Sequence, residues 1–319
     1  MANATASRLG QVNNLGDQNA LFLKVFSGEV LTAFTEKNVM ADKLMTRTIS
    51  SGKSAQFPLT GKIGAEYHVP GQEITGLNLP AAERVITIDD LLISHAFISN
   101  LDEAKNHYDV RSIYSSEIGK ALANTYDRHS IQTMIKAARD VGGVVTGEPG
   151  GGSFINAGVA TDAAILEDAA YAAAQKFDED DVPEDERYLL VRPAQFNLLA
   201  KRAELIDRDL TAGNGDRAKR TVMHVAGMTI VKTNHIPSTL IANGTLLAGT
   251  GNKYAGDFRN TVAVAFQKQA VGCVKLMEMA SEMEYDIRRQ GTLMVSKYAH
   301  GLGILRPACA FEIRSAALA

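Results

Sequence analysis

Tryptophan is absent from the 319 residues, and cysteine occurs only at Cys273 and Cys309. Without Trp, the chain lacks the residue most enriched at the energetic centre of binding surfaces. Two thiols are too few for a disulfide framework or a thiolate metal cage, so both are expected to stay reduced. Neither sign of charge dominates: 33 Lys and Arg against 36 Asp and Glu leave −3 at neutral pH. That balance offers no electrostatic capture of nucleic acid or of an acidic membrane. No apolar run approaches the length of about 18 residues needed to cross a bilayer. The N-terminus also lacks the charged-then-apolar pattern of a secretion signal. The protein is therefore expected inside the cell that makes it, with no membrane partner. No internal repeat marks a solenoid or propeller.

Chemistry is missing as well. The seven histidines (68, 95, 107, 129, 224, 235 and 300) are scattered, and none stands three to five residues from another as a metal-binding pair would. No G-x-S-x-G elbow occurs; the run ending Gly152-Ser153-Phe154 lacks the closing glycine. Asp89 and Asp90 are adjacent carboxylates, but neighbours on a strand point apart. The acidic run 178–186 carries Pro183 where a calcium loop needs glycine, and reads as a solvated loop. The glycine-rich stretch 142–158 lacks the GK[ST] ending of a phosphate cradle and reads as a flexible linker. The densest basic stretch, 201–220, has no interleaved aromatic residue for base stacking. Neither an enzyme nor a cofactor is expected.

What the sequence does have is one long helical stretch, 101–140, free of Pro and with a single Gly at 119. Leu101, Ala104, Tyr108, Ile118 and Leu122 recur at helical spacing, with Val110, Ile113, Tyr114 and Ala121 alongside. Together they make a stripe wide enough to bury against a sheet. Asn100 serves as N-cap, Lys136 and Arg139 suit the last turn, and Gly142-Gly143 ends the run. The stretch is either one bent helix of roughly 60 Å, or two helices broken near Asp127-Arg128-His129.

Around it the chain falls into distinct pieces. Residues 1–20 are small and polar and form a loose arm. Residues 20–34 place Leu23, Phe26, Val30, Leu31 and Phe34 on one helical face that needs a partner, and 43–50 read as extended. From Gly52 to Pro80, five Gly and three Pro interrupt an alternating pattern (Phe57 with Leu59, Tyr67 with Val69). That is the signature of a long two-stranded excursion, too poor in apolar content to hold itself folded. A strand over 85–88 leads toward the long helix. Helices at 161–177 and from Pro193, with a strand at 187–193 and a strand then turn at 225–237, form a second domain. A polar loop, 207–217, and β patterns at 261–267, 272–279, 291–301 and 305–313 complete the chain.

Several strings match a known family in order and spacing: ALFLKVFSGEVLTAF, SGKSAQFP, ERVITID and NHYDVRSIYS in the first half, AVGCVKL and KYAHGLGILRP near the end. The chain resembles the major capsid proteins of short-tailed (podovirus, autographivirus-type) double-stranded-DNA bacteriophages. The resemblance implies the α+β tailed-phage capsid fold. Its parts would be an N-terminal arm (1–50), an extended loop (51–84), and a peripheral domain (85–154, with spine helix 101–140). An axial domain (155–265) and a return to the peripheral sheet (266–319) would follow. It implies a structural, non-enzymatic subunit that forms pentamers and hexamers in the virion capsid, assembled in the bacterial cytoplasm. Its partners would be its own copies, a scaffolding protein, a portal, and packaged double-stranded DNA bound without sequence preference. An encapsulin-like compartment of the same fold is the alternative. Inter-subunit contacts are then expected at Phe26 and Phe34 in the arm and at Lys53, Phe57, Lys62, Tyr67 and Arg84 in the loop. Asp207, Arg208 and Arg217 are expected to make such contacts toward the capsomer axis.

Overall fold

Thirty residues, Val110–Arg139, form one unbroken helix (α1) in the computed structural model. The structure describes residues 38–101, 110–143, 145, 147–202, 205, 215–216, 221–242 and 253–317. Asn100 and Leu101 are helical too, and residues 102–109 of the expected stretch lie outside the described residues. The amide of Asn100 donates to the Tyr285 hydroxyl at 2.9 Å, which joins the helix entry to a strand end. No break occurs at Asp127-Arg128-His129. Asp127 accepts two backbone N–H groups, His129 stacks on Tyr254 and Arg128 is exposed, so the backbone ladder has no need to open for them.

Strands β1 (Met45–Thr48), β2 (Ser54–Thr60), β3 (Ala81–Thr87) and β4 (Leu92–Ser99) precede α1. The single strand expected near 85–88 is two, because β3 pairs back along β2 before β4 begins. After α1 come β5 (Gly152–Ile155), α2 (Ala163–Glu179), β6 (Arg187–Val191) and α3 (Pro193–Leu199). Then follow β7 (Gly215–Asp216), β8 (Thr221–Val222), β9 (His224–Val225), β10 (Met228–Lys232), β11 (Leu240–Ile241) and β12 (Gly256–Asp257). The long strands close the chain: β13 (Thr261–Gln267), β14 (Val271–Asp286), β15 (Gly291–Ile304) and β16 (Ala310–Arg314).

Two compact units emerge, with boundaries inside α1, β14 and β15. One gathers Asp89–Tyr126 and Met277–His300. In it β4 pairs antiparallel with β15, from Gly291↔Ser99 to Tyr298↔Leu92. Alternation puts Ala96, Ile98 and Met294 on one face, where they meet Ile118 of α1. Ile118 and Leu122 are 6 % and 3 % exposed, as the helical stripe requires. Each such side chain taken from water is worth about 1.5–3 kcal/mol.

The other unit holds Val39–Ile88, Asp127–Leu276 and the chain from Gly301 on. Its six-stranded sheet runs β5-β16-β13-β6-β10-β9. All seven residues of β13 are buried, which explains the uninterrupted apolar run VAVAF at its centre. Asp162 caps α2, accepting the Ala164 N–H at 2.9 Å, and Pro193 occupies the first turn of α3. Leu166, Ala169, Ala170, Ala173 and Phe177 make the buried stripe of α2. β1 pairs in parallel with β14, Met45↔Gly272 to Thr48↔Lys275.

The glycine-rich stretch 142–158 is not a linker. It contains β5, which pairs in parallel with β16. A Cβ on Gly151 would lie 2.5 Å from the carbonyl oxygens of Ala137 and Ala138, and one on Gly152 would lie 2.5 Å from the Phe311 ring. Glycine stands there because backbone and ring approach too closely for any side chain.

Candidate assembly surfaces

The excursion after residue 51 has a built base and an open end. At the base β2 and β3 pair antiparallel over seven residues, Ser54↔Thr87 to Thr60↔Ala81. Alternation turns Ala55 and Phe57 inward, where they meet Ile86, Val274 and Leu305 with Ile49 and Ile88 beside them. Phe57 is 5 % exposed. Expected to touch a neighbouring subunit, it anchors the loop in its own chain, because its position on β2 faces this cluster. The neck reaches one pair further: the Gly61 N–H donates to the Pro80 carbonyl at 2.8 Å, and a Cβ on Gly61 would strike Pro80 and Val145.

Beyond the neck no strand continues; 61–80 follows an irregular path. Its tip is a tight turn, Val69-Pro70-Gly71-Gln72, closed by the Gln72 N–H on the Val69 carbonyl at 3.1 Å. Pro at the second place and Gly71 at φ +94° at the third fit a type II turn. Ile63, Tyr67, Val69, Ile74, Leu77 and Leu79 all project into solvent, with Tyr67 fully exposed. Six large apolar side chains on one short segment exceed the scattered exposure of an ordinary surface.

Charges fasten the loop at two levels. Lys62 pairs with Asp181 in the acidic run after α2, with both side chains largely exposed. The hydrogen bond from Lys62 holds the Asp181 carboxyl below the usual range. Arg84 on β3 reaches Asp140, just past α1, at 3.4 Å. Lys53 is exposed, and its carbonyl accepts the Ile88 N–H at 2.9 Å. Of the remaining expected contacts, Phe26, Phe34, Asp207, Arg208 and Arg217 lie outside the described residues.

The acidic run is organised by cations from several directions. Arg187, 6 % exposed at its side chain, pairs with Asp178 at 2.7 Å and donates to the carbonyls of Val182 and Pro183. Lys176 pairs with Asp180, and Lys268 with Glu186 at 2.6 Å. Among the described residues no group of three or more His, Cys, Asp or Glu is arranged to hold a metal ion. Sequence reading did not single out Asp181 or Asp140 as partners, since nothing local tells a solvated carboxylate from one that meets a distant lysine.

A further tie joins α1 to the six-stranded sheet. Arg139 grips Glu312 of β16 through two hydrogen bonds, and Thr261 donates to the same carboxylate at 2.6 Å. Glu312 is fully buried. His129 stacks on Tyr254 with ring centroids 4.1 Å apart, and burial, with Lys253 and Arg128 adding, pushes its pKa down to about 4.

The described surface thus offers an exposed apolar loop on an anchored base, and comparisons with known proteins show the family. The Gp10A-like family, described as major capsid protein, matches residues 56–314. The chain belongs to this family. The capsid protein is 33 % identical over 331 residues to the major capsid protein of Escherichia phage T7, across 92 % of each chain. It is 31 % identical over 338 residues to that of Enterobacteria phage T3, across 95 % of this chain and 94 % of the relative. Among solved structures, the capsid of cyanophage P-SCSP1u matches with a TM-score of 0.83 and 41 % identity, covering 99 % of this chain and 100 % of that one. The mature capsid of bacteriophage PhiM1 matches with a TM-score of 0.76 at 20 % identity over 93 % of both, a likeness of fold alone. The α+β fold is that of the tailed-phage capsid proteins, and these likenesses do not favour an encapsulin compartment.

Proposed function

We propose that the capsid protein closes into the icosahedral shell of a phage head as pentamers and hexamers. The observation that supports this most directly is the loop 61–80, whose six large apolar side chains stay 45–103 % exposed. A neighbouring copy is the natural cover, and Tyr67, with its ring wholly in solvent, is the first residue to look for in that contact. Residues 1–50 act as the arm and 51–84 as the loop. Residues 85–154 and 266–319 make the peripheral domain, and 155–265 the axial domain around the capsomer centre. Lys53, Lys62 and Arg84 set register at the rim of the loop contact more than they add affinity. Asp207, Arg208 and Arg217 face the axis, and Phe26 and Phe34 seat the arm between subunits.

Assembly takes place in the bacterial cytoplasm on a scaffolding protein, with a portal at one vertex. The finished shell encloses double-stranded DNA without reading its sequence, and its near-neutral charge lets the packaged duplex slide. The subunit performs no catalysis. Electron microscopy of the protein expressed with its scaffolding partner tests the reading. Closed shells support it, while monomers alone under assembly conditions overturn it.

A further inference from the structure

Halfway along α1 the buried face turns polar: Asp127, His129, Ser130, Gln132 and Thr133 are all nearly inaccessible. A carboxylate with no exposure is costly unless donors meet it. Both oxygens of Asp127 are met, and by backbone: Oδ2 accepts the Val39 N–H at 2.9 Å and Oδ1 the Met40 N–H at 3.2 Å. Consecutive N–H groups on one carboxylate fix the direction of a chain as well as its position. The grip is reinforced below it. Met40 and Leu44 are buried, the Lys43 N–H closes a turn on the Met40 carbonyl at 3.1 Å, and Lys43 Nζ donates to the Val39 carbonyl at 2.8 Å. This stretch lies in the part of the chain expected to form the N-terminal arm, 1–50.

The same part of the helix is tied to the loop. His129 stacks on Tyr254, and the adjoining Lys253 donates from Nζ to the carbonyl of Thr87, the last residue of β3, at 3.2 Å. Lys136, two turns further along α1, donates to the Lys253 carbonyl at 2.8 Å. Arm root and loop base are thus both referenced to one short stretch of helix.

We propose that Asp127 is a positioning residue for assembly: by holding the Val39 and Met40 N–H groups it sets the direction in which the arm leaves the subunit. The proposal rests on the capsid reading above. Only an ionised carboxylate accepts both N–H groups while donating nothing; an amide turns an NH2 toward one of them.

Two full-length variants test it. Asp127→Asn removes one acceptor, and Val39→Pro removes one donor from the arm side without touching the helix. Hydrogen exchange of the subunit is expected to speed up about tenfold across 40–44 in both, as the loss of a charge-assisted bond implies. Exchange along Ile118–Tyr126 should stay as in the parent protein, and the shells formed with scaffolding protein should be open or mixed in size. Unchanged exchange at 40–44, equal loosening along α1, or uniform shells despite a loosened root would each overturn the proposal. Should Asp127→Asn fail to fold, Val39→Pro decides alone; loss of fold in both makes Asp127 a stability element and ends the proposal. Failure of the parent chain itself to form shells would instead remove the capsid reading, and this proposal with it.

Discussion

Arg139 and Glu312 are joined by two hydrogen bonds of 2.7 and 2.6 Å in which Nε and Nη2 each meet one carboxylate oxygen. Nη1 of the same guanidinium donates to the Asp257 carbonyl at 2.6 Å. One side chain thereby ties the C-terminal end of α1 to β16 and to β12. Arg139→Ala strands Glu312 as an unpaired charge with no exposure. It should cost about 3–5 kcal/mol, read as a lower denaturation midpoint in urea. Arg139→Met with Glu312→Leu should recover most of that loss, because a buried ion pair adds little over well-packed apolar groups.

The face of α1 that meets the β4–β15 sheet is equally testable. Ile118→Asp places a charge where Ile98 and Met294 now pack, and Leu122→Asp places one at another buried position of the same helix. The expected loss is of order 4 kcal/mol, visible as a fall in the thermal midpoint. Ile118→Val, which removes one methylene, should cost only about 1 kcal/mol.

Acid should weaken the subunit through His129. Its folded pKa of about 4 lies below the ordinary 6.5, so protonation favours the unfolded chain. The contribution is fully present above pH 6.5 and falls away as pH drops toward 4. In His129→Phe, which keeps the stack on Tyr254, the pH 7 to pH 4 decline in urea midpoint should be shallower than in the parent protein. Parallel declines would remove His129 from the acid response.

Replacing residues 62–79 by a short Gly-Ser turn should leave a folded, soluble subunit that cannot close shells. Excising 53–83 is a different experiment, since it also removes Ala55 and Phe57 from the cluster with Val274 and Leu305. A buried Phe lost to a cavity costs about 3–5 kcal/mol, so that variant should be destabilised as well. Circular dichroism melts alongside electron microscopy separate the two. Lys62→Glu, facing Asp181, should give a milder assembly defect that fades as salt rises.

Cys273 and Cys309 should remain reduced. Both are buried, and burial pushes the Cys309 thiol up to about 11, which leaves almost no thiolate to react. Non-reducing electrophoresis of the intact protein should show one monomeric species.

Elements with a strong period were legible in the sequence. The helical stripe through Ile118 and Leu122, the start of α2 near 161, the Pro193 start of α3 and the apolar run of β13 all follow from local pattern. What escaped depends on partners far away in the chain. The glycines at 151 and 152 read as looseness, because the carbonyls and ring crowding them come from Ala137, Ala138 and Phe311. Asp127 read as a place to break a helix, because its two donors lie at Val39 and Met40. Phe57 read as a surface for a neighbour, because Val274 and Leu305, which bury it, lie in the last third of the sequence.

That last arrangement bears on when a subunit becomes competent. A chain emerging from the ribosome makes the hairpin early, but β1 must await Gly272–Lys275 and the seat of Phe57 must await Leu305. Non-local closure of this kind comes late in folding. A chain that stops short of Leu305 therefore lacks part of the seat of Phe57, and the loop above it loses its anchor.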